Sequence, residues 1–531
     1  MEAMSSKNRS LWLALLALVV VACLALVARP SAVLPDKPLT EDGFYALAVA
    51  RSVADGEGLT IDGQWTNGFQ PLFTVLCAVP FLLSSDDLGA LRLVLVLSAM
   101  VHLLAAVLFG LLVGGFAPAG EKWGLVLSML VFFGSVKLIT DFYNGLETGL
   151  VMALYLAAGV FYQRYDPWVW RNTVLLGALL GLLVLARIDA GFFAVLVGVS
   201  YLVLFKNRAL GERVVRFVTV GAVSVLVASP WFLYNQVMFG SIMPTSGQQQ
   251  QHFGLTWARA TTALWAALMN LVPWLYFGPF EWRLFWGGVG VRAVALAALM
   301  AIAVRFCAGT LAAGEGSDVG AEGRRRTLHF GGLLLGHVAI LFVWYTCYST
   351  AMDFYSRYFV PASLLTVFVL AVLVHSLAAR WKAGVAVLLA VMALGMLSLY
   401  HLPFIVRGNN FYQDGLPLVH EHVPDENVAV GAFQSGTFCF FRRNVVNLDG
   451  KVNAEVGKRM SFAERLDYLD RIGVRWVCDW EVFLRPMREH GDRWERVGSR
   501  GIFEIWRRRE GRRPEGDQPG GVDGGSVAVD S

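Results

Sequence analysis

Acids and bases in this chain gather beside long apolar blocks. Glu41 and Asp42 are adjacent, Lys137, Asp141 and Glu147 share one short stretch, Arg187 and Asp189 are two apart, and Arg357 stands just ahead of another apolar run. Ionisable residues next to membrane-length segments are costly and mark function by default. The chemistry open to such a set is transfer of a group, such as a sugar, away from a phosphate. A carboxylate takes the proton from the attacking hydroxyl. Cationic donors stabilise the phosphate that leaves, and the planar arginine fork suits phosphate because it binds bidentately.

Each residue also has a structural explanation. Thr40 is a good N-cap, and acids in a first turn are favoured by the helix dipole, so Glu41 and Asp42 can simply open a helix. Lys137 and Asp141, four apart, can form an ordinary helical ion pair. Glu147 opens an apolar block, where the dipole again suffices. Arg187 and Asp189 can make a polar hinge between two spans, and Arg357 can be an interfacial anchor that snorkels. His102 and His337, inside apolar blocks, read as packed histidines. The glutamines Gln248 to Gln251 either line a path for an acceptor or are a solvated loop. Asp55-Gly56-Glu57-Gly58 reads as a turn; a phosphate loop would need a preceding strand and a Lys-Ser/Thr.

The elements that must position these residues are membrane helices. Of the 531 residues 56% are hydrophobic and only 16% charged, and mean hydropathy is +0.55. A soluble chain would be about a quarter charged. The apolar residues fall in blocks long enough to cross a hydrocarbon core of roughly 30 Å, and a block in lipid must satisfy its own backbone, hence helix. We expect eleven spans, at 11–28, 88–116, 123–139, 146–162, 168–186, 190–206, 217–234, 288–307, 328–348, 358–378 and 383–403. The first is too long for a signal-peptide core. Two shorter stretches with internal proline, 71–83 and 264–277, are expected to lie in the outer interface. With the N-terminus inside, Lys122, Arg164, Arg171, Lys206, Arg208, Arg213, Arg216, Arg305, Arg324, Arg325, Arg326, Arg380 and Lys382 all fall on the inner side, as the positive-inside rule requires. The candidate chemical residues then share the outer side.

Residues 1–403 therefore form a membrane domain, with outer loops at 29–87 and 235–287. From 404 to 510 charge density rises and apolar runs shorten. NVAVGAF and RWVCDW read as strands and FAERLDYLDRI as an amphipathic helix, giving a small α/β domain outside the membrane. Residues 511–531, rich in Gly, Pro and Asp, are expected to be disordered. Four cysteines (Cys23, Cys77, Cys307, Cys347) lie in or beside apolar blocks; Cys439 and Cys478 could pair in an oxidising space. The net charge of +4 is small and scattered, which argues against nucleic acid as a partner.

Several of these motifs resemble one family. EDGFYALAVARSVADGEGLTIDG followed by TNGFQPLF resembles the first outer loop of the GT-C superfamily of polyprenyl-phosphate-sugar glycosyltransferases, in particular its bacterial arabinofuranosyl- and mannosyltransferase-like branch. That loop pairs two acids, here Glu41 and Asp42, and closes on a segment here read as Gly68-Phe69-Gln70-Pro71-Leu72. Glu41 stands where the family usually has Asp. NGLETGL, ARIDAGFF, FGSIMPTSGQ, SRYFVP and the stretch from Val428 to Asn453 match further family segments in order. The resemblance implies a polytopic α-helical enzyme of the plasma membrane working in cell-envelope glycan assembly. It implies Asp42 as general base with Glu41 beside it. The donor phosphate and substrates would be held by Arg357, Arg187, Lys137, Asp141, Glu147, Asp189 and Gln70. The implied partners are a polyprenyl-phosphate-linked sugar, a glycan or lipid acceptor and membrane lipids. Family members differ in metal use, which leaves a divalent ion open. The competing class is a transporter or flippase for a lipid-linked glycan. Such proteins bind near midspan on broken, internally repeated helices, and here the charges sit at span ends without a repeat.

Overall fold

The computed structural model describes residues 6–116, 124–251, 253–275, 290–295, 297, 301, 319–348, 355–377, 379–399, 410–457 and 460–509. Helices dominate up to residue 399. They are α1 (Ser6–Val27), α2 (Glu41–Ala54), α3 (Pro71–Leu83), α4 (Asp87–Gly114), α5 (Gly124–Phe133), α6 (Val136–Tyr143), α7 (Thr148–Arg164), α8 (Trp170–Ala186), α9 (Gly191–Val203), α10 (Leu210–Phe239), α11 (Thr245–Gln250) and α12 (Trp257–Leu271). Further helices run over Val319–Cys347, Val360–Ser376 and Ala379–Leu399. Among the described residues five helices are long and apolar enough to cross a membrane, and one bent pair would make a sixth. Their outward faces carry exposed leucines and valines, as on α10 at Val225, Leu226, Leu233 and Val237. On a soluble protein such a surface would be a liability; against lipid it meets its own kind.

Two sequence expectations change, and one open question closes. The span at 123–139 is two helices, α5 and α6, bent by 72° at Gly134-Ser135, a pair that commonly kinks helices. Averaged hydropathy runs straight through such a pair. The stretch 264–277 is not a separate helix: its first part closes α12, which ends at Leu271, and residues 276–277 lie outside the described set. Cys439 and Cys478 are free and buried. The span at 288–307 lies mostly outside the described residues, as do Cys307 and the tail from 510.

Helix α8 matters because its C-terminal end presents Arg187. It packs closely on α10 at Gly177 and Gly181, where a Cβ would come within 3.0 Å of the Val220 carbonyl oxygen and 2.8 Å of that of Ser224. Small residues four apart allow this approach in membranes. At the opposite end of α8, Arg216 lies 3.8 Å from the centroid of Trp170 and donates to Thr173 Oγ1 at 2.8 Å. Seventeen residues of α8 separate the two ends by ~25 Å at ~1.5 Å per residue, so the basic belt and Arg187 sit a span apart.

The strands β1 (Thr60–Ile61) and β2 (Gln64–Trp65) form a hairpin in the first loop. Beyond residue 409, β3 (Val430–Ala432), β4 (Val445–Asn447), β5 (Trp476–Trp480), β6 (Trp494–Arg500) and β7 (Phe503–Arg508) form one sheet in the order β4-β3-β5-β7-β6. The first three are mutually parallel, whereas β7 runs antiparallel to both β5 and β6. The helix Phe462–Arg471 starts on a capping box between Ser461 and Glu464, which satisfies two orphan backbone donors at once. This region is cemented to the first loop: Tyr45, Ala48 and Val49 of α2 share a buried cluster with Phe411, Val430, Phe438 and Phe503.

Candidate active site

Thr40 caps α2, accepting from the Gly43 amide at 3.3 Å, and its own hydroxyl donates to the Asn144 carbonyl at 3.0 Å. The cap fixes the first turn of α2 against the α6–α7 junction. Residues three and four apart share a helix face, so Asp42, Tyr45 and Ala46 line one cleft together. That cleft encloses about 1350 Å³ of empty space, open mouth included. Glu147, Arg187, Asp189 and Arg357 complete its floor, and Gln70 stands on its wall. Each comes from a helix end: Glu147 precedes α7, Arg187 follows α8, and Arg357 lies in the 3-10 turn Tyr355–Phe359 that leads into the Val360–Ser376 helix.

Asp42 is held by two cations. Arg357 Nη1 lies 3.0 Å from Oδ2 and Lys451 Nζ 3.2 Å from Oδ1. Burial alone would raise the Asp42 carboxyl; Lys451 and then Arg357 outweigh it and hold it below the ordinary carboxylate range. Asp42 is therefore ionised at neutral pH. Lys451 also pairs with Asp449 Oδ2 at 3.3 Å. A second set lies deeper. Arg187 Nε binds Asp189 at 2.8 and 3.0 Å, and its Nη1 reaches Glu147 Oε1 at 3.2 Å. Tyr345 donates to Asp189 Oδ2 at 2.6 Å. The rings of Tyr345 and Tyr358 stack at 4.5 Å, and the Arg187 guanidinium sits 4.4 Å from the Tyr358 centroid. Planar cations favour such faces.

Glu41 does not line this cleft. Successive helical residues differ by ~100°, and Glu41 points at the C-terminal region instead. There Thr437 donates to it twice, from its amide at 2.9 Å and from its hydroxyl. Burial pushes the Glu41 carboxyl up to about 7, against the pull of the Thr437 bonds. Its expected place beside Asp42 in catalysis is replaced by a structural one. Lys137 and Asp141 are also off the cleft. They form a buried ion pair within α6, Nζ lying 2.5 and 2.6 Å from the carboxylate oxygens. His102 and His337 are buried among aromatic rings as expected.

Of the nine expected site residues the structure thus gathers Asp42, Gln70, Glu147, Arg187, Asp189 and Arg357. It adds Lys451, Tyr345 and Tyr358, and of the glutamines Gln248 to Gln251 it sets Gln250 and Gln251 on the cleft. No local signal marks Lys451, which is a lone lysine in a loop 409 residues from Asp42. A divalent ion is poorly served here, since Asp42, Glu147 and Asp189 already face cations. Among the described residues no three metal-ligating side chains of His, Cys, Asp or Glu come together.

No family model and no curated protein sequence matches the chain. Solved structures do. ArnT from Cupriavidus metallidurans in the apo state superposes with a TM-score of 0.57 at 13% identity, covering 94% of this chain and 98% of that one. The same enzyme bound to undecaprenyl phosphate gives 0.57 at 12%. The chain has a GT-C fold. The archaeal oligosaccharyltransferase AglB from Archaeoglobus fulgidus, in complex with an inhibitory peptide and a dolichol-phosphate, follows at 0.49 and 13%, covering 91% of this chain and 71% of that one. On this GT-C scaffold the first loop, the α6–α7 and α8–α9 junctions and the entrance to the Val360–Ser376 helix converge on the cleft described above.

Proposed function

We propose that this protein is an integral membrane glycosyltransferase that moves a sugar from a polyprenyl-monophosphate donor to an acceptor hydroxyl on the extracytoplasmic face, with Asp42 as general base. The observation that carries this reading is the contact of Asp42 with Arg357 and Lys451 in an open cleft at the helix ends. An ionised carboxylate stands there beside the cations a leaving phosphate needs. The undecaprenyl phosphate seen on the same fold in ArnT supports a polyprenyl donor. The basic belt around Arg216, a span away from the cleft, supports a cytoplasmic N-terminus and an outward cleft. In this reading α3, with its exposed Leu82 and Leu83, lies in the outer interface near the donor tail, and the described C-terminal region, which supplies Lys451 to the lining, closes the cleft from outside.

In the reaction, acceptor oxygen attacks the anomeric carbon while Asp42 takes its proton. The bond from that carbon to the phosphate oxygen breaks, its electron pair stays on the phosphate, and Arg357 stabilises the charge. Arg187, locked by two acids, holds the floor of the site in shape. The test is release of polyprenyl phosphate by detergent-purified protein given a panel of polyprenyl-monophosphate sugars and membrane-extracted acceptors. Asp42→Asn should abolish release while folding and donor binding persist. Turnover that survives the substitution would remove Asp42 as the base. Absence of turnover and of donor binding across the whole panel would favour a transporter of lipid-linked glycan.

A further inference from the structure

The described residues lining the cleft include three carboxylates, Asp42, Glu147 and Asp189, and three cations, Arg187, Arg357 and Lys451. Their charges cancel. An entering phosphate can gain a cation only by drawing one away from a carboxylate. The cations differ in how firmly they are held. Arg187 makes three contacts to two acids and a fourth to the Arg357 carbonyl at 3.2 Å, and its side chain is 6% exposed. Arg357 and Lys451 each touch Asp42 through a single oxygen; Arg357 also donates to the Tyr358 hydroxyl at 3.3 Å and Lys451 also pairs with Asp449 at 3.3 Å, yet their side chains keep 17% and 20% exposure. They are the ones able to turn toward a ligand.

We propose that Lys451, supplied by the C-terminal sheet region, is a ligand of the donor phosphate, and that donor binding is an exchange in which the phosphate takes Lys451 and Arg357 from Asp42. This rests on the glycosyltransferase reading of the cleft. It gives the C-terminal region a direct part in the chemistry. In the resting protein two cations stabilise the Asp42 carboxylate and so weaken it as a base. A phosphate diester of single negative charge that engages them removes that stabilisation and sets another anion nearby, which strengthens the base only when donor is present. During transfer the phosphate goes from one negative charge to two and Asp42 from one to none, since the acceptor proton ends on its carboxylate. The charge of the cleft is unchanged, and both cations now serve the phosphate. When Asp42 loses that proton to water it reclaims them, which favours release of the polyprenyl phosphate.

The turn that delivers Lys451 is held in place by its own hydrogen bonds. Asn447 Oδ1 accepts from the Gly450 amide at 3.0 Å, and the Lys451 amide donates to Asp449 Oδ1 at 2.8 Å. The first outer loop presses on its backbone: a Cβ at Gly68 would lie 2.0 Å from the Lys451 carbonyl oxygen.

The experiment measures binding of a short-chain polyprenyl phosphate to the full-length protein in detergent, by quenching of tryptophan fluorescence, for wild type, Lys451→Met, Lys451→Arg and Asp42→Asn. Lys451→Met should weaken binding about tenfold or more, the scale of a lost hydrogen bond to a charged group, and Lys451→Arg should recover most of it. Asp42→Asn should bind about threefold tighter or more, the scale of releasing a partly exposed ion pair, because its cations no longer have to be drawn off. A lysine that merely seats the C-terminal region gives no such gain. Wild type that binds while Lys451→Met binds equally well, or Asp42→Asn that binds no better than wild type, overturns the exchange and leaves the glycosyltransferase reading intact. Wild type that does not bind polyprenyl phosphate overturns both.

Discussion

Glu41 lies in the joint between the first loop and the C-terminal region, and its substitution tests whether that joint senses pH. Burial raises its carboxyl from the ordinary 4.5 to about 7. A folded state that binds the proton more tightly than the unfolded chain is favoured at low pH. The contribution of Glu41 is therefore fully present below pH ~4.5 and is lost as pH rises through about 7. At ~1.4 kcal/mol per unit the full swing is ~3 kcal/mol. Glu41→Gln keeps the shape, lets the amide oxygen accept from the Thr437 amide, and does not titrate. It should match wild type near pH 5 and be more stable above pH 7, by up to that swing. The groups facing Glu41 include Lys37 and Asp42 on its own loop and Asp479 across the joint. Asp479 is itself pushed up to about 8, by burial first, so a reduced slope should persist in the variant. The assay is thermal unfolding of the detergent-purified protein by tryptophan fluorescence from pH 5 to pH 8.5, with hydrogen exchange read over residues 436–441. A variant that keeps the full wild-type slope, or is less stable than wild type at pH 8, refutes the reasoning. Because Glu41 is off the cleft, the variant should retain the turnover that Asp42→Asn loses.

Other outcomes follow from single contacts. Gly68→Ala must displace the Lys451 backbone; overpacking of this kind costs about 1–3 kcal/mol, and polyprenyl phosphate binding should fall while circular dichroism shows the helices intact. Lys137→Met leaves Asp141 buried without its cation, a loss of about 3–5 kcal/mol, whereas Lys137→Met with Asp141→Leu should recover most of it; equal stability of the single and double variants in a thermal melt would contradict a purely structural pair. Tyr345→Phe removes the 2.6 Å bond to Asp189, worth about 1.5–3 kcal/mol as a bond to a charged group. With Asp189 loosened, Arg187 should drift, and the KM for donor should rise with a smaller change in kcat.

What the sequence determined by itself was local. Lipid offers the backbone no hydrogen bonds, so apolar blocks such as Asp87–Gly114 had to be helices wherever they packed. Thr40 ahead of Glu41 and Asp42 announced a helix start through a bond made within one turn. The clustering of Asp42, Glu147, Arg187 and Arg357 at span ends was legible because alternating spans return the chain to the same side. The tertiary structure decided which of two adjacent acids faces the cleft, since a rotation of ~100° per residue matters only once a neighbour occupies one side. Thr437 claimed Glu41, and Lys451 came to Asp42 from 409 residues away. Lys137 and Asp141 were settled by the bend after Gly134, which turned α6 into the core and buried their charges against each other. Such pairings depend on packing between segments far apart in sequence, and no spacing within one segment encodes them.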